Sequence, residues 1–514
     1  MTLLPVLLVD LDGDGVFPSA STSTLPRKLP ISPTIAAHDL TAYTLASPGV
    51  SAEAGKDQAV SLSPPMAGEL RAVLDNRDGR FSWRNAASVY YQKLQRGIEV
   101  RLNAVHTTGG AAVAYRVWTG YLWDVEADPD PAAKTVTLSA LGIMARLARH
   151  SGYSSNLYTN ITTDVALGYV LDLAGLTDTA WRSFETGRTT LRFFWVSSTD
   201  DLAAVAASIL AAEGPGAALY EDAQGRLVFQ NRGHRFEASA STSSTVTFTD
   251  AGAEPGYRLR YLRGERLNRA IVYHRQRSLA TALTTIWTCA DTPFTLGAQA
   301  SRSWSFSPDN GDPFNGAVCV DGVDIIATFG TPGITLSATS GGGDRLITLT
   351  IQNTGTFSVA PAMVVSSLRV RAYEAPTIYE ESIVEDGDTS DGIDAKTIDA
   401  IPETDRDVLQ SFAEALVVLN ASQPEILEVS LNDGHSDRIT QALTRAVSDR
   451  VTVTETNTAL SAVPSFIEAR RYHFGAAGEM VAVLGTQAAV VNTGSGVTVS
   501  LWDSGRWDEG YWGW

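Results

Sequence analysis

The feature that most constrains the fold is a recurring alternation of apolar and polar residues, the two-residue period of a β-strand with one buried face. It is strongest in AVAYRVWTGYLWDVEAD at 112–128 and KTVTLSALG at 134–142, which flank a turn containing Pro129 and Pro131. This pair predicts a long hairpin. Similar alternation in RLITLTIQNTG and SSLRVRAYEA makes 246–375 read as short strands of a sandwich or barrel. The chain is therefore predicted to be mainly β.

Helical patterns interrupt the β segments at five places, of which 143–150 and 436–446 are the two shortest. Residues 162–175 combine a threonine N-cap, an acidic first turn, apolar residues at helical spacing and a final glycine. Residues 198–214 repeat this design with Ser198 as the predicted cap, and a hairpin turning at Gln224 and Gly225 follows. A further helix is predicted from Thr404 to Asn420. The helices of 162–175 and 198–214 and the hairpin predict a small α/β domain.

Charge and cysteine content exclude several classes of protein. The 514 residues include 39 basic and 57 acidic side chains, a net charge of −18, which argues against a surface that wraps nucleic acid through its phosphates. Only two cysteines, Cys289 and Cys319, are present, too few for a disulfide framework. The N-terminus lacks a signal-peptide pattern, and the longest apolar run, 202–212, is about half a membrane span. We expect a protein folded in a cytoplasm without a membrane anchor.

No catalytic constellation is recognisable. The seven histidines show no HExxH or HxH spacing, and the chain has no GxSxG elbow, P-loop or GxGxxG after a strand. We therefore expect neither an enzyme nor a cofactor. Asp10, Asp12 and Asp14 match the first half of a calcium loop, but the position of its bidentate glutamate is Ser21. Calcium is a weak candidate, and a strand ending in a glycine-rich turn is favoured.

Tryptophans mark two possible contact surfaces. Trp287 and Trp304 would suit a sugar-stacking surface, although core or rim aromatics of a sandwich are the favoured interpretation. The C-terminus repeats an aromatic residue and a glycine about every five residues, which suits docking on a partner or a sister chain. The tryptophans of this tail are Trp502, Trp507, Trp512 and Trp514.

The stretch 70–102, LRAVLDNRDGRFSWRNAASVYYQKLQRGIEVRL, gives the chain a context. Two predicted strands flank a tight turn at 76–79, where Asn, Asp and Gly tolerate positive φ. The stretch resembles a recurring block in tail-tip proteins of long-tailed bacteriophages, from which it departs at Trp83, Val89 and Arg96. VDLDGDGVF at the start, the hairpin of 112–142 and GRLVFQNRGHRF are also similar to that family.

The resemblance implies a baseplate-hub fold, mainly β with α+β subdomains, in which two related β-barrel units are accompanied by an α/β unit and an inserted β-sandwich. The implied role is that of a structural virion protein at the tail tip. Such a hub closes or initiates the tail tube, holds the central fibre or receptor-binding parts for host attachment, and lets DNA pass during ejection. The implied assembly is a homotrimer that contacts the distal tail ring, the tape-measure protein and the central fibre. Phe81, Trp83, Tyr90 and Tyr91 are then predicted to be buried anchors at a subunit or ring interface.

At this length one core is insufficient, so several domains are expected. The predicted boundaries are 1–150 for an N-terminal β-barrel hub domain, 151–240 for a small α/β domain, 241–282 for further hub strands, 283–375 for an inserted β-sandwich, 376–400 for an acidic linker, 401–500 for a C-terminal α+β hub domain and 501–514 for a Trp/Gly-rich tail.

Two other roles remain open from the sequence. The first is the distal tail ring protein of the same tail tip, which would form six copies instead of three. The second is a carbohydrate-binding or carbohydrate-active protein, and the inserted sandwich could bind a host-surface glycan within a hub. A contractile or cellular injection device built on the same plan also fits the sequence.

Overall fold

The computed structural model describes most of the chain from Thr2 to Ala488. The described ranges are 2–11, 39–55, 66–108, 111–128, 134–147, 155–197, 200–214, 216–249, 256–261, 267–306, 313–339, 346–355, 362–387, 389–390, 392–398, 402, 405–420, 425–432, 436–456, 460–475 and 480–488.

The first half of the chain contains strands β1 to β14 and five short or medium helices. In chain order they are β1 (Thr2–Val9), β2 (Val50–Gly55), β3 (Glu69–Asp75), β4 (Glu99–Thr108), β5 (Ala111–Ala127), β6 (Thr135–Leu141), α1 (Met144–Leu147), β7 (Tyr158–Thr162), α2 (Thr163–Leu173), β8 (Arg182–Phe184), β9 (Thr190–Phe194), α3 (Leu202–Glu213), β10 (Ala218–Glu221), β11 (Leu227–Gln230), α4 (His234–Glu237), α5 (Ser239–Thr242), β12 (Thr247–Thr249), β13 (Gly256–Tyr261) and β14 (Arg269–Arg277). Single 3-10 turns lie at Thr41–Tyr43 and Thr179–Trp181.

The second half continues the β structure with two further helices. Its elements are β15 (Thr284–Thr288), β16 (Phe294–Leu296), β17 (Ser301–Phe306), β18 (Phe314–Val318), β19 (Ile325–Thr328), β20 (Pro332–Thr339), β21 (Leu346–Asn353), β22 (Met363–Glu374), β23 (Thr377–Asp386), β24 (Ala395–Ile398), α6 (Arg406–Asn420), β25 (Glu425–Asn432), α7 (Ser436–Thr444), β26 (Arg450–Glu455), β27 (Leu460–Phe474) and β28 (Met480–Ala488). Among the described residues, no helix is long and apolar enough to cross a membrane. The prediction of a mainly β chain is confirmed.

A 12-stranded sheet joins the two ends of the chain. Its order is β1-β4-β5-β6-β3-β2-β27-β28-β25-β13, with β26 pairing β27 and β12. One hydrophobic core, from Leu3 to Leu484, packs against it. Strands from the predicted N-terminal and C-terminal hub domains therefore belong to one sheet with a shared core, a connection that the sequence did not reveal. The predicted hairpin is present as β5 and β6, which pair antiparallel.

The junction of this sheet is the antiparallel pairing of β2 with β27, from Val50 opposite Phe474 to Gly55 opposite Ala469. Glycines stand at both ends of β2, with φ of +80° at Gly49 and +126° at Gly55. A Cβ at Gly49 would lie 2.0 Å from the carbonyl oxygen of Phe474, and one at Gly55 would lie 2.5 Å from that of Glu468. Only glycine allows this close approach of the two backbones.

The α/β unit forms a second core from helices α2 and α3 with the strands β8, β10 and β11. Helix α2 follows Thr162, and Gly175 with φ of +75° lies beyond its end, as predicted. Helix α3 is capped by Asp201, whose carboxylate accepts the Ala203 N–H at 2.9 Å. The predicted cap, Ser198, was therefore wrong in position, and it lies outside the described residues. The hairpin of β10 and β11 is confirmed.

The prediction of a linker at 376–400 is corrected by a third unit, which contains β23 and β24. Strand β14 pairs with β23 antiparallel and with β24 parallel, and α6 packs on this small sheet through Leu409, Phe412 and Leu416. The acidic composition of 376–400 indicated a solvated linker, but its carboxylates instead bind arginines of the neighbouring strand. Arg269 Nε lies 2.5 Å from Asp386 Oδ1, and Arg275 Nε lies 2.9 Å from Glu380 Oε1.

Helix α6 was predicted from Thr404 within a C-terminal domain of 401–500. Its first turn is instead capped by Asp405, whose carboxylate accepts the Asp407 N–H at 3.0 Å, and Thr404 lies outside the described residues. In the described structure α6 shares its core with β14 and β23, whereas the prediction grouped it with the C-terminal strands.

The inserted sandwich has its own core. Strand β22 pairs with β15, β16, β18 and β19, while β17, β21 and β20 form the facing sheet. Both sheets contribute buried residues, such as Leu349 and Val370, to one cluster. The two ends of the unit meet, because the Ala280 N–H donates to the Glu374 carbonyl oxygen at 2.7 Å. The predicted β-sandwich is confirmed as a separate packing unit.

Candidate interaction surface

The stretch that resembles the phage block forms a loop of consecutive turns, 76–98, between strands β3 and β4. Its first turn is the predicted one: the Gly79 N–H donates to the Asn76 carbonyl oxygen at 2.9 Å, and Gly79 has φ of +71°. The Asn76 side chain organises the turn, since its Oδ1 accepts the Phe81 N–H at 2.9 Å. Its Nδ2 donates to Ser82 Oγ at 3.3 Å. The loop conformation is thus fixed by local hydrogen bonds.

Two aromatic rings attach this loop to the core of the large sheet. Phe81 and Tyr90 are 3% and 4% exposed, and their ring centroids lie 4.8 Å apart. Tyr43 packs edge-on against Phe81 at 5.5 Å, and the Arg80 guanidinium lies 4.1 Å from the Tyr43 ring centroid. Burial raises the pKa of the Tyr90 hydroxyl, so this ring stays neutral.

The prediction that the aromatic residues of this loop anchor an interface is corrected in part, because two of them are buried within the chain itself. Phe81 and Tyr90 pack in the chain's own core, so their rings are not available to anchor a second subunit. Trp83 is 75% exposed and Tyr91 is 36% exposed on the same loop. Val89, at 56% exposed, is the third large apolar side chain that points outward here. We call Trp83, Val89 and Tyr91 the Trp83 surface; its role as an interface stays a prediction.

Ion pairs at the tip hold the loop in the same conformation. Arg77 Nε donates to Asp75 Oδ2 at 2.8 Å, and Asp78 binds the Arg80 guanidinium. Hydrogen bonds from the Arg80 side chain lower the pKa of Asp78 to about 2. The pair therefore stays charged near neutral pH, although exposed pairs of this kind add only about 0–1 kcal/mol to stability.

Of the other predicted site residues, only Asp10 lies within the described part of the chain. Asp10 is 4% exposed and its N–H donates to the Glu99 carbonyl oxygen at 2.9 Å, whereas Asp12 and Asp14 lie outside the described residues. Within the described ranges, no group of three or more His, Cys, Asp or Glu side chains is arranged to hold a metal. The four C-terminal tryptophans, Trp502, Trp507, Trp512 and Trp514, fall beyond the last described residue.

The tryptophans of the sandwich are part of its packing. Trp287 stacks on Phe306 with ring centroids 4.0 Å apart, and Trp304 lies 5.1 Å from the Phe294 ring. Both indoles are half-buried against the sandwich core. This packing agrees with the favoured interpretation of Trp287 and Trp304 as core or rim aromatics of the sandwich.

Sequence reasoning missed one charged feature of the fold. A cleft lined by arginines lies between the α/β unit and the small sheet. Its side chains come from segments as distant as Asn160 and Val408, so no local motif marks it.

Comparison with solved structures retrieves tail proteins and related secretion components. The chain is similar to the 43 kDa tail protein of prophage MuSo2 from Shewanella oneidensis, at 12% identity and a TM-score of 0.47, over 94% of this chain and 98% of that one. It is also similar to a tail protein from Neisseria meningitidis MC58, at 9% identity and a TM-score of 0.49, over 95% and 97% of the two chains.

A third similar structure is the c3393 protein of E. coli, a component of the type VI secretion system, at 8% identity and a TM-score of 0.35, over 86% and 73% of the two chains. No protein-family model and no curated protein matches the chain. Two of these three proteins are tail proteins, and the third is a component of a type VI secretion system. Because all three TM-scores are below 0.5, the class assigned here rests on the sheets themselves: a mainly β protein of several units with an inserted sandwich.

Proposed function

We propose that this protein is a non-enzymatic structural component of a phage tail tip, the hub that closes or initiates the tail tube. The observation that carries the proposal is the stretch 70–102, which resembles the tail-tip block in sequence. It also folds into a loop with a buried aromatic base and an exposed Trp83 surface. A rigid loop that presents large aromatic side chains is well suited to a protein interface, because little conformational entropy is lost on binding.

The topology of the large sheet supports assembly of several copies. Strands β1 and β13 stand at the two ends of its strand order, although Leu40 and Thr41 already bond to Leu7 at the outer edge of β1. Terminal strands are the natural sites for pairing with another chain, and a head-to-tail contact closes into a ring when its rotation allows. We propose a homotrimer of this kind, located in the virion at the tail tip after assembly in the host cytoplasm. Its partners would be the distal tail ring, the tape-measure protein and the central fibre.

The acidity of the chain suits the passage of DNA through such a ring. A net charge of −18 would keep a polyanion from adhering to the inner wall. The corresponding measurement is retention of duplex DNA by the purified assembly at low salt, where phosphate contacts are strongest. Tight, salt-sensitive retention would contradict this part of the proposal.

The copy number distinguishes the hub from the distal tail ring. Native mass spectrometry of the purified full chain should show three copies, whereas six copies would favour the ring protein. A chain that stays monomeric, alone and in the presence of the other tail proteins, would overturn both. Host-glycan binding by the sandwich is less favoured, because Trp287 and Trp304 pack into its core.

A pair of variants tests the Trp83 surface. Trp83→Ala should weaken assembly by roughly tenfold or more if the indole is a central contact, since aromatic truncations at such positions commonly cost about 2 kcal/mol. Phe329→Ala is the matched control, because Phe329 is 68% exposed but lies on the inserted sandwich. Equal assembly of the two variants and the natural chain would remove the Trp83 surface from the interface.

A further inference from the structure

A cavity of about 530 Å³ lies where three parts of the chain meet. Its wall combines strand β9 and the residues before it, the strands β14 and β23, and the first turn of α6. The two sides are packed together, since Ala211 of α3 contacts the core beneath α6. Cavities of about 300–1,000 Å³ at such junctions are typical binding sites for small molecules.

Four guanidinium groups line this cavity, in a protein that is acidic overall. They belong to Arg188, Arg192, Arg232 and Arg406. Arg232 is the deepest, at 5% exposed, and its Nη1 donates to Thr189 Oγ1 at 2.6 Å and to the Glu213 carbonyl oxygen at 3.1 Å. The cavity therefore has a fixed positive charge in its wall.

The two acidic residues of the wall already have partners. Glu381 accepts the Arg406 Nε at 2.7 Å and the Tyr379 hydroxyl at 3.2 Å. Asp405 caps helix α6 by accepting the Asp407 N–H.

The other two cations have different partners. Arg188 Nη2 lies 2.6 Å from Glu237 Oε2, whose side chain is 62% exposed, so an incoming anion would have to displace or share this ion pair. Arg192 is exposed at the mouth, makes a ring contact with Phe193 at 5.7 Å and has no ion pair within the described part of the chain. The Glu213 carboxylate, buried behind the wall, is engaged by the Thr163 hydroxyl at 2.6 Å and the Thr189 N–H at 3.1 Å.

A polar group in the wall also lacks a hydrogen bond. His274 is 6% exposed, and its buried Nδ1 makes none in the described structure, although Glu381 Oε1 is 3.4 Å away. Buried polar atoms are nearly always hydrogen-bonded, and exceptions call for an explanation. A ligand with polar groups in the cavity would supply one.

We propose that this cavity binds a small oxyanion, a molecule bearing phosphate or carboxylate groups. Arg192 and Arg188 would contact the anionic group, while Arg232 supplies positive charge from below. The planar fork of a guanidinium pairs with either group through two parallel hydrogen bonds, which gives both affinity and orientation. This site does not depend on the tail-tip role, because its residues lie outside the loop 76–98.

Isothermal titration of the full chain at low salt tests the proposal, with inorganic phosphate and citrate as separate probes and sodium chloride at matched ionic strength as the blank. We expect saturable binding of at least one probe. Arg192→Gln should weaken it by about tenfold or more, the usual effect of removing a charged hydrogen-bond donor. Arg258→Gln is the control, since the Arg258 side chain is 66% exposed on β13, in a different sheet.

The two probes separate the sources of the anion. Binding of phosphate alone indicates a phosphate-bearing ligand, and binding of citrate alone indicates a carboxylate-bearing one. Arg188→Gln should reduce binding in the same direction, which guards against an effect peculiar to one variant. The proposal is overturned if neither probe binds above the sodium chloride blank. It is also overturned if Arg192→Gln and Arg188→Gln bind the probe as well as Arg258→Gln does, while all three variants have the same unfolding temperature as the natural chain.

Discussion

The 12-stranded sheet and the inserted sandwich are both mostly antiparallel β structures, but the chain assembles them differently. In the large sheet, β2 at Val50–Gly55 pairs with β27 at Leu460–Phe474. The sandwich uses one continuous stretch, from β15 to β22, whose ends meet at Ala280 and Glu374. The large sheet therefore needs both ends of the chain, whereas the sandwich is locally complete. Contacts distant in sequence also cost more loop-closure entropy, so the large sheet should form later in folding.

The largest effect should come from removing the C-terminal strands. A chain that ends at Asn420 lacks β25 to β28, which leaves β2 without its partner β27 and uncovers much of the shared core. The loss should exceed the whole stability of a typical domain, about 5–15 kcal/mol. Urea unfolding followed by circular dichroism should show no cooperative transition for the large sheet. A cooperative transition with the same dependence on urea concentration as that of the natural chain would contradict the single-sheet interpretation.

The next effect concerns the contact between the α/β unit and the large sheet. The buried carboxylate of Glu221 accepts the Gly68 N–H at 2.7 Å and the Met144 N–H at 2.5 Å. Glu221→Ala leaves both donors without a partner, at about 1–3 kcal/mol each. We expect a loss of about 2–4 kcal/mol in the free energy of unfolding, measured with urea. Glu126→Ala is the control, because the Glu126 side chain is exposed on β5.

The same residue predicts a dependence on pH. Burial raises the pKa of Glu221 from 4.5 to about 7, against the lowering effect of its two N–H donors. The folded chain thus keeps this proton to higher pH than the unfolded chain. Its contribution to stability falls as pH rises from about 4.5 to about 7, by at most about 1.4 kcal/mol per pH unit. Glu221→Gln should lack this decline when unfolding is compared at about pH 5 and about pH 8; an unchanged decline would assign it to other groups.

A smaller effect should stay within the sandwich. Asp324 is fully buried and accepts hydrogen bonds from the Val320 N–H at 3.0 Å, Arg369 Nε at 3.0 Å and Arg371 Nε at 2.5 Å. Asp324→Ala should destabilise this unit by about 1.5–3 kcal/mol, because charged hydrogen bonds are lost. Calorimetry should show one transition shifted to a lower temperature, while the transition temperature of the large sheet stays unchanged. A uniform shift of all transitions would mean that the two regions unfold together.

The smallest effect is expected from excising the sandwich. Joining Ala280 to Glu374 through two glycines removes 281–373 at the place where these residues are already hydrogen-bonded. The main loss for the rest of the chain is the bond from the Ala375 N–H to the Pro313 carbonyl oxygen, 2.8 Å long. The remainder should keep its unfolding free energy within about 1 kcal/mol. Aggregation or loss of the main transition would show that the sandwich supports the large sheet.

Local patterns predicted the elements whose partners are close in sequence. Helix α2, the hairpins β5–β6 and β10–β11 and the sandwich follow from periodicity and turn residues, and the structure contains them. The predicted linker at 376–400 failed for a specific reason. Its carboxylates indicated a solvated segment, because the arginines that bind them, such as Arg269, lie about a hundred residues away in the chain.

For the candidate surfaces as well, the sequence predicted the local features and tertiary packing determined the rest. The sequence marked the aromatic residues of the loop 76–98, but only burial separates Phe81 and Tyr90, which hold the loop, from Trp83 and Tyr91, which point outward. The arginine-lined cavity has no signal in the sequence. Its residues become neighbours only when the α/β unit packs against β14 and α6.

By itself, the sequence determined the strand-rich class, the turn at Asn76 and Gly79, and the resemblance to tail-tip proteins. These depend on backbone preferences and on patterns a few residues long, which act before the chain is folded. Tertiary structure alone decided that both ends of the chain share one sheet and that β23 and β24 pair with β14. It also decided that four arginines, from segments that are distant in sequence, line one cavity. The physical reason is that these outcomes depend on which buried surfaces pack together, a property of the whole chain that no local segment contains.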